Sequence, residues 1–120
     1  MRVLVTVLLV SLTSCSSAPE LESLCNVAHA PDRYLERPLT ISGLAKMDRH
    51  GTLLTDPACP ERGLILWGTD HEGADSAFWS AVAGTLAPNM DPIRVTVTGQ
   101  IAHRSALPPS VFRVTRGAAE

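Results

Sequence analysis

Three cysteines have the most distinctive chemistry in this sequence: Cys15, Cys25 and Cys59. Cys15 follows an aliphatic residue and two small residues. Cys25 and Cys59 form an even pair, which in an oxidising compartment predicts a disulfide that closes a loop of about 35 residues. Neither cysteine belongs to a Cys-x-x-Cys motif, and no histidine stands at zinc-ligand spacing beside them. A structural disulfide is therefore the favoured interpretation, with a redox or metal thiol pair as the alternative.

The four histidines, His29, His50, His71 and His103, form no His-x-x-x-His or His-Glu-x-x-His motif, so no metal site is predicted. His71 lies between two carboxylates in a stretch that we expect to be a solvated loop. His103 shares the parity of a strong strand pattern and could line a pocket; a structural role is the alternative. Nucleophile motifs, phosphate-binding glycine loops and dinucleotide fingerprints are missing from the sequence, so no catalytic residue and no cofactor are predicted.

The first residues have the pattern of an export signal. A positive start, Met1-Arg2, precedes roughly ten mostly apolar positions, about half of what a membrane-spanning helix needs. We therefore predict a signal peptide over residues 1–14. A transmembrane segment and an ordinary cleaved signal with a chance cysteine are the alternatives.

The stretch Leu12-Thr13-Ser14-Cys15 resembles the lipobox of bacterial lipoproteins. The resemblance implies cleavage before Cys15, a diacylglyceryl group on its sulfur and an acylated amino terminus. Two or more acyl chains hold a protein stably on a membrane. In that family the serine at position 16, where aspartate would favour the inner membrane, implies an outer-membrane anchor facing the periplasm.

Size and charge limit the mature protein. Residues 15–20 are predicted to form a lipidated tether, residues 21–116 a single domain and residues 117–120 a C-terminal tail. Cleavage would remove one of the ten basic residues and none of the twelve acidic ones, so the charge becomes more negative. Since there is no basic excess, nucleic acid is not a predicted partner.

Hydrophobic spacing predicts two helices and five strands. A short N-terminal helix falls within residues 19–30, and a second helix begins at Asp75 or Ser76. Gly43 suggests a bulge or bend in the first strand. The third strand is apolar on both parities, so we expect it to be central or covered on both sides. The strands are predicted through Leu39 and Ile41, at residues 52–55, 63–67 and 93–101, and from residue 111 to 115.

Three strands, a helix and two strands match the order of a mainly β, five-stranded oligonucleotide/oligosaccharide-binding (OB) barrel. The segment from Leu24 to Trp67 resembles small bacterial envelope proteins of this barrel type. A split sheet with helices on one face would give a similar pattern and is the alternative.

Analogy to such barrels predicts a binding face on the second and third strands and two adjacent loops. Trp67 is the first candidate, either as an exposed interface anchor or as a core side chain. The whole candidate face comprises Asp48, Arg49, His50, Leu53, Thr55, Trp67, His103, Arg104 and Ser105.

The favoured function is a non-enzymatic, membrane-anchored envelope module that binds a partner protein or a small envelope ligand. The membrane itself is the other partner, through acylated Cys15. One alternative is an envelope hydrolase with a histidine and a carboxylate in a pocket. The other is a metal-handling protein that uses His50 or His103.

Overall fold

The computed structural model describes residues 18–68, 76–103 and 111–120. Over these residues the chain forms six β-strands, two α-helices and one turn of 3-10 helix at Pro31–Tyr34. The protein is therefore mainly β, as predicted. In chain order the strands and α-helices are β1 Glu20–Leu21, α1 Leu24–His29, β2 Leu39–Asp48, β3 Gly51–Thr55, β4 Gly63–Trp67, α2 Ser76–Ala83, β5 Ile93–Ala102 and β6 Val111–Ala119.

All six strands belong to one sheet with the order β1-β2-β3-β4-β6-β5. Strand β2 also pairs with β5, so the pairings of β2 to β6 close into a cycle. The contacts β1–β2 and β4–β6 are parallel, and the other pairings are antiparallel. Strand β1 lies outside the cycle and pairs only with β2 among the described strands.

The prediction of five strands was wrong by one, because β1 adds a sixth. The amide of Glu20 donates to the carbonyl of Pro38 at 3.1 Å, and that of Glu22 donates to Thr40 at 3.1 Å. Leu21 is 85% exposed, so this strand has no buried face. Two residues without a buried side chain leave no periodic signal in the sequence, which is why Glu20 was assigned to the tether.

Helix α1 is shorter than the predicted segment. Ser23 caps it, since its hydroxyl accepts a hydrogen bond from the Asn26 amide at 3.3 Å. Leu24 and Val27 are the buried residues of the helix. The predicted disulfide is present between Cys25 of α1 and Cys59 of the loop after β3. It joins the helix covalently to that loop.

Strand β6 continues to Ala119, beyond the predicted end of the domain. Gly117 pairs with Val97 and Ala119 pairs with Val95, so residues 117–119 belong to the sheet and not to a tail. The register shift of the sheet lies at residues 98–99 of β5. Gly43 pairs with Val95 without a register shift; a Cβ there would come within 2.8 Å of the Thr55 carbonyl oxygen. Close packing, and not a bulge, explains this glycine.

The interior is formed by alternate residues of the strands and by one side of each helix. In β4, Leu64 and Leu66 are buried, whereas Ile65 and Trp67 are exposed. The alternative that β4 is covered on both sides was wrong, although the strand is central between β3 and β6. The apolar residues Ile65 and Trp67 therefore lie on the outer face of β4, at the protein surface. The largest fully buried hydrophobic side chains are Phe112, Leu24, Leu39, Ile41, Leu54 and Ile101.

Helix α2 contributes Phe78, Trp79 and Val82 to the core. Its C-terminal end is held by Lys46 of β2, whose Nζ donates to the carbonyl of Thr85 at 2.7 Å. The same ammonium group donates to two further carbonyl groups in the segment that follows the helix. Across residues 18–68, 76–103 and 111–120, none of the helices has the length and apolar character needed to cross a membrane.

Candidate functional site

An exposed apolar patch, formed by Leu53, Ile65 and Trp67, lies on the outer face of β3 and β4. Leu53 and Ile65 are directly paired across the two strands. Trp67 follows two residues later on β4 and therefore points to the same side. Their exposed fractions are 44%, 38% and 42%. Three large apolar side chains on adjacent strands form a continuous surface that differs from scattered exposed residues.

The tight turn between β2 and β3 borders the apolar patch. The amide of His50 donates to a carboxylate oxygen of Asp48 at 2.7 Å, and Arg49 Nε donates to His50 Nε2 at 3.4 Å. Gly51 has a φ of 133°, which suits glycine at this reversal. The turn thus places His50 beside the patch, whereas Arg49 lines a separate pocket with Leu86.

Two small depressions lie where this turn meets the apolar patch. One has a volume of about 180 Å³ and is lined by residues that include His50, Leu53 and Ile65. The other, of about 110 Å³, has His50, Ile65 and Trp67 in its wall. Both open at the surface beside the patch.

Arg113 of β6 extends the patch on its other side. It is paired with Trp67 across the parallel β4–β6 contact. Its guanidinium carbon lies 5.8 Å from the centre of the Trp67 ring, within the range of a cation–π interaction. A cation is therefore held at the edge of the apolar surface.

A larger cleft of about 710 Å³ adjoins Arg113 on β5 and β6. His103 and Glu36 are among the residues that line it. His103 Nε2 lies 3.9 Å from an Asp32 carboxylate oxygen, with both side chains mostly exposed. This pair is open to solvent, which weakens the interaction of its charges.

The predicted face is brought together in part. Asp48, Arg49 and His50 lie at the turn, and Asp48 and His50 line depressions at the patch that contains Leu53 and Trp67. For Trp67 the sequence left two alternatives, an exposed anchor or a core side chain; its side chain is exposed. The remaining candidates are elsewhere: Thr55 at the other end of β3, with its hydroxyl donating to the Leu44 carbonyl at 3.5 Å, and His103 in the larger cleft.

Several predicted residues lie outside the described residues. They are the lipidation candidate Cys15, the loop histidine His71, and Arg104 and Ser105 of the candidate face.

The prediction missed Ile65 and Arg113. Ile65 shares the parity of Trp67 on β4, so the alternation of the strand was a usable signal for it. Arg113 becomes a neighbour of Trp67 only through the parallel pairing of β4 with β6. That pairing joins segments far apart in the chain, so no local sequence pattern predicts it.

The described residues contain no group of three or more histidine, cysteine, aspartate or glutamate side chains arranged to hold a metal ion. His103 Nε2 lies 3.9 Å from an Asp32 carboxylate oxygen, away from the patch. The patch itself has apolar side chains at its centre and Arg113 at its edge.

Comparisons of the chain with protein families, with curated proteins and with solved structures found no match.

Proposed function

We propose that this protein is a non-enzymatic binding module of the cell envelope that contacts a partner protein through the apolar patch. The observation that carries the proposal is the continuous exposed surface of Leu53, Ile65 and Trp67 on β3 and β4. Tryptophan and arginine are the residue types most enriched at the energetic centres of protein interfaces. Trp67 and Arg113 provide this pair, with the ring and the guanidinium in contact.

The dimensions of the patch favour a protein over a small ligand. Sites for small molecules are clefts of about 300–1,000 Å³ that enclose most of the ligand. The two depressions beside Trp67 have volumes of about 180 and 110 Å³. Each can accept one side chain of a partner, which is how protein interfaces use such pockets.

The strand pairings support an OB-like barrel as the architecture of this module. Five strands, β2 to β6, pair in a closed cycle, with α2 between the third and fourth of them. In OB barrels the second and third strands and the loop after the first strand bind ligands. The equivalent elements here are β3, β4 and the turn at residues 48–51. The analogy to OB barrels supports the location of the site but does not identify its ligand.

The lipobox-like residues 12–15 support a lipid tether on Cys15 at the outer membrane, facing the periplasm. Strand β1, which follows the tether, pairs with Leu39 at the start of β2. The turn beside the patch follows the other end of β2, nine residues later and about 30 Å along the strand. An anchor at residue 15 would leave this turn accessible to a partner in the periplasm.

The proposal is tested by crosslinking the tagged protein in living cells and identifying the proteins that are captured. Trp67→Ala removes the largest side chain of the patch; Leu21→Ala is the control, because Leu21 is also an exposed large apolar residue but lies on β1, which pairs with the start of β2. One dominant envelope protein, lost with Trp67→Ala and kept with Leu21→Ala, is the expected result. Capture that is equally strong in both variants would contradict the proposal.

A Cys15→Ala variant tests the tether in the same experiment. If the anchor serves to bring the patch to its partner, this variant loses membrane attachment and most of the crosslinked product. Purified Cys15→Ala protein should still bind the identified partner, since the patch is unchanged. Loss of that binding would mean that the tether, and not the patch, makes the contact.

A hydrolase acting on envelope material is the second candidate, because His103 lines the cleft of about 710 Å³ and lies 3.9 Å from Asp32. A histidine oriented by a carboxylate can act as a general base. The test is hydrolysis of ester and peptide substrates by the purified protein and by His103→Gln. Turnover that disappears in the variant would favour the hydrolase over the binding module.

A further inference from the structure

A third surface feature is a cleft of about 460 Å³ between α1, the 3-10 helix and the loop after β3. We call it the disulfide cleft, because the Cys25–Cys59 bond forms part of its wall. Five polar side chains line it: Asn26, His29, Arg33, Tyr34 and Arg62. All except the half-buried Tyr34 are exposed, so a molecule in solution can reach them.

Arg62 and His29 are fixed relative to each other across this cleft. Arg62 Nη1 donates to His29 Nδ1 at 2.7 Å and to the His29 carbonyl oxygen at 3.4 Å. A guanidinium group has no acceptor, so Nδ1 must accept and the imidazole proton is on Nε2. Arg62 is thus held by His29 and not by a carboxylate. The other ring nitrogen of His29, Nε2, can donate a hydrogen bond.

The disulfide cleft has no acidic residue in its lining. Asp32 and Glu61 directly precede Arg33 and Arg62 in the chain, but neither of them lines the cleft. The lining therefore holds two arginines and no carboxylate, which favours an anion over a cation as its ligand.

We propose that the disulfide cleft binds the phosphate group of a small molecule or a lipid. The donors come from three segments, since Asn26 and His29 lie on α1, Arg33 on the 3-10 helix and Arg62 on the loop. A planar carboxylate is satisfied by the fork of one arginine, whereas a tetrahedral phosphate presents oxygens in several directions. The volume of about 460 Å³ is also within the range of small-molecule sites.

The disulfide holds the two sides of this site together. Cys25 belongs to the helix that carries Asn26 and His29, and Cys59 precedes Arg62 by three residues in the loop. The amide of Arg62 also donates to the carbonyl of Cys59 at 3.1 Å. Reduction would release the loop from the helix, so phosphate binding should weaken when the bond is broken.

The first experiment is a calorimetric titration of the purified protein with inorganic phosphate. We expect saturable binding that is weaker by roughly tenfold in Arg62→Gln and in Arg33→Gln, since each removes a charged hydrogen bond. Arg94→Gln is the matched control, because it changes the net charge equally at an exposed site on β5. Circular dichroism melting of each variant shows that the fold is retained.

A second experiment distinguishes a free phosphate from a lipid headgroup. The Cys15→Ala protein, which lacks the proposed acylation site, is sedimented with phosphatidylcholine vesicles that contain or lack phosphatidylglycerol. Binding to the anionic vesicles that is lost in Arg62→Gln identifies a lipid headgroup; binding of inorganic phosphate alone identifies a soluble ligand. Binding of neither, or an equal loss in Arg94→Gln, would overturn the proposal.

Discussion

The guanidinium of Arg113 lies 5.8 Å from the centre of the Trp67 ring, so the last strand supplies a cation to the exposed end of β4. This contact joins two features of the surface. Trp67 belongs to the apolar patch, and Arg113 also lines the cleft of about 710 Å³. A molecule bound at either feature would therefore alter the surroundings of the other.

The first prediction concerns the strength of this contact. A double-mutant cycle of Trp67→Ala and Arg113→Gln should give a coupling free energy of about 0.5–1 kcal/mol, the value for exposed cation–π pairs. Urea unfolding of the four proteins measures it. Arg116→Gln, on the same strand and also exposed, serves as the control and should show no coupling to Trp67. Coupling below the experimental error for Arg113 would mean that the contact does not contribute to stability.

The second prediction concerns the disulfide. Cys25 and Cys59 are separated by 34 positions, and loop closure over that length is expected to stabilise the folded state by about 4 kcal/mol at most. Urea unfolding with and without reductant measures the difference. The reduced protein should unfold at a lower urea concentration, because its unfolded chain is no longer crosslinked. Equal urea midpoints for the oxidised and reduced proteins would show that the disulfide does not stabilise the folded state.

The third prediction concerns Thr85, which is buried beyond the end of α2. Its hydroxyl donates to the Val82 carbonyl at 2.7 Å and accepts from the Met47 amide at 2.8 Å. Thr85→Val keeps the shape but leaves that amide without this acceptor. The free energy of unfolding should fall by about 1–3 kcal/mol.

Thermal unfolding measures this loss against Thr115→Val, the control. Thr115 is exposed and donates one hydrogen bond to the Thr98 carbonyl at 3.1 Å. Water can replace that bond, so the control should lose less stability. A loss in Thr85→Val no larger than in Thr115→Val would contradict the role of Thr85 as a bridge between α2 and β2.

Local patterns in the sequence were sufficient for the elements with strong signals. The predicted bounds of the third strand, residues 63–67, match β4, because a proline-rich loop and a glycine flank a short apolar run. The position of α2 follows from the spacing of Phe78 and Val82, which are both buried. The disulfide followed from the even pair of cysteines, since a bond between them needs no knowledge of the sheet.

The remaining features depend on contacts between distant segments. Strand β1 is stabilised by backbone hydrogen bonds to β2, and its side chains are exposed. Residues 117–119 read as a tail because glycine and alanine have weak strand preference, yet they pair with β5. The same reason applies to the site. The alternation of residues in β4 is enough to predict that Ile65 lies beside Trp67, whereas Arg113 becomes a neighbour of Trp67 only when β4 and β6 pair in the folded sheet.

The fourth prediction concerns Gly117, which was placed in the tail. A Cβ at this position would lie 2.6 Å from the ring of Phe78, so the aromatic side chain of α2 packs against the backbone of β6. Gly117→Ala should reduce the free energy of unfolding by about 1–3 kcal/mol, the usual cost of overpacking a core. Chemical denaturation measures it, with Ala118→Ser as an exposed control on the same strand. Equal stability of Gly117→Ala and the wild type would contradict this packing.

The fifth prediction concerns the lipid tether and is tested by the intact mass of the protein extracted from membranes. Cleavage before Cys15 and acylation would give the mass of residues 15–120 plus lipid. Reduction should add the mass of two hydrogens, because Cys25 and Cys59 are bonded and Cys15 is blocked. Cys15→Ala provides the control, since it cannot be acylated and should be missing from the membrane fraction. A mass that begins at residue 16, or that includes residues before Cys15, would disprove the lipobox interpretation and with it the proposed anchor.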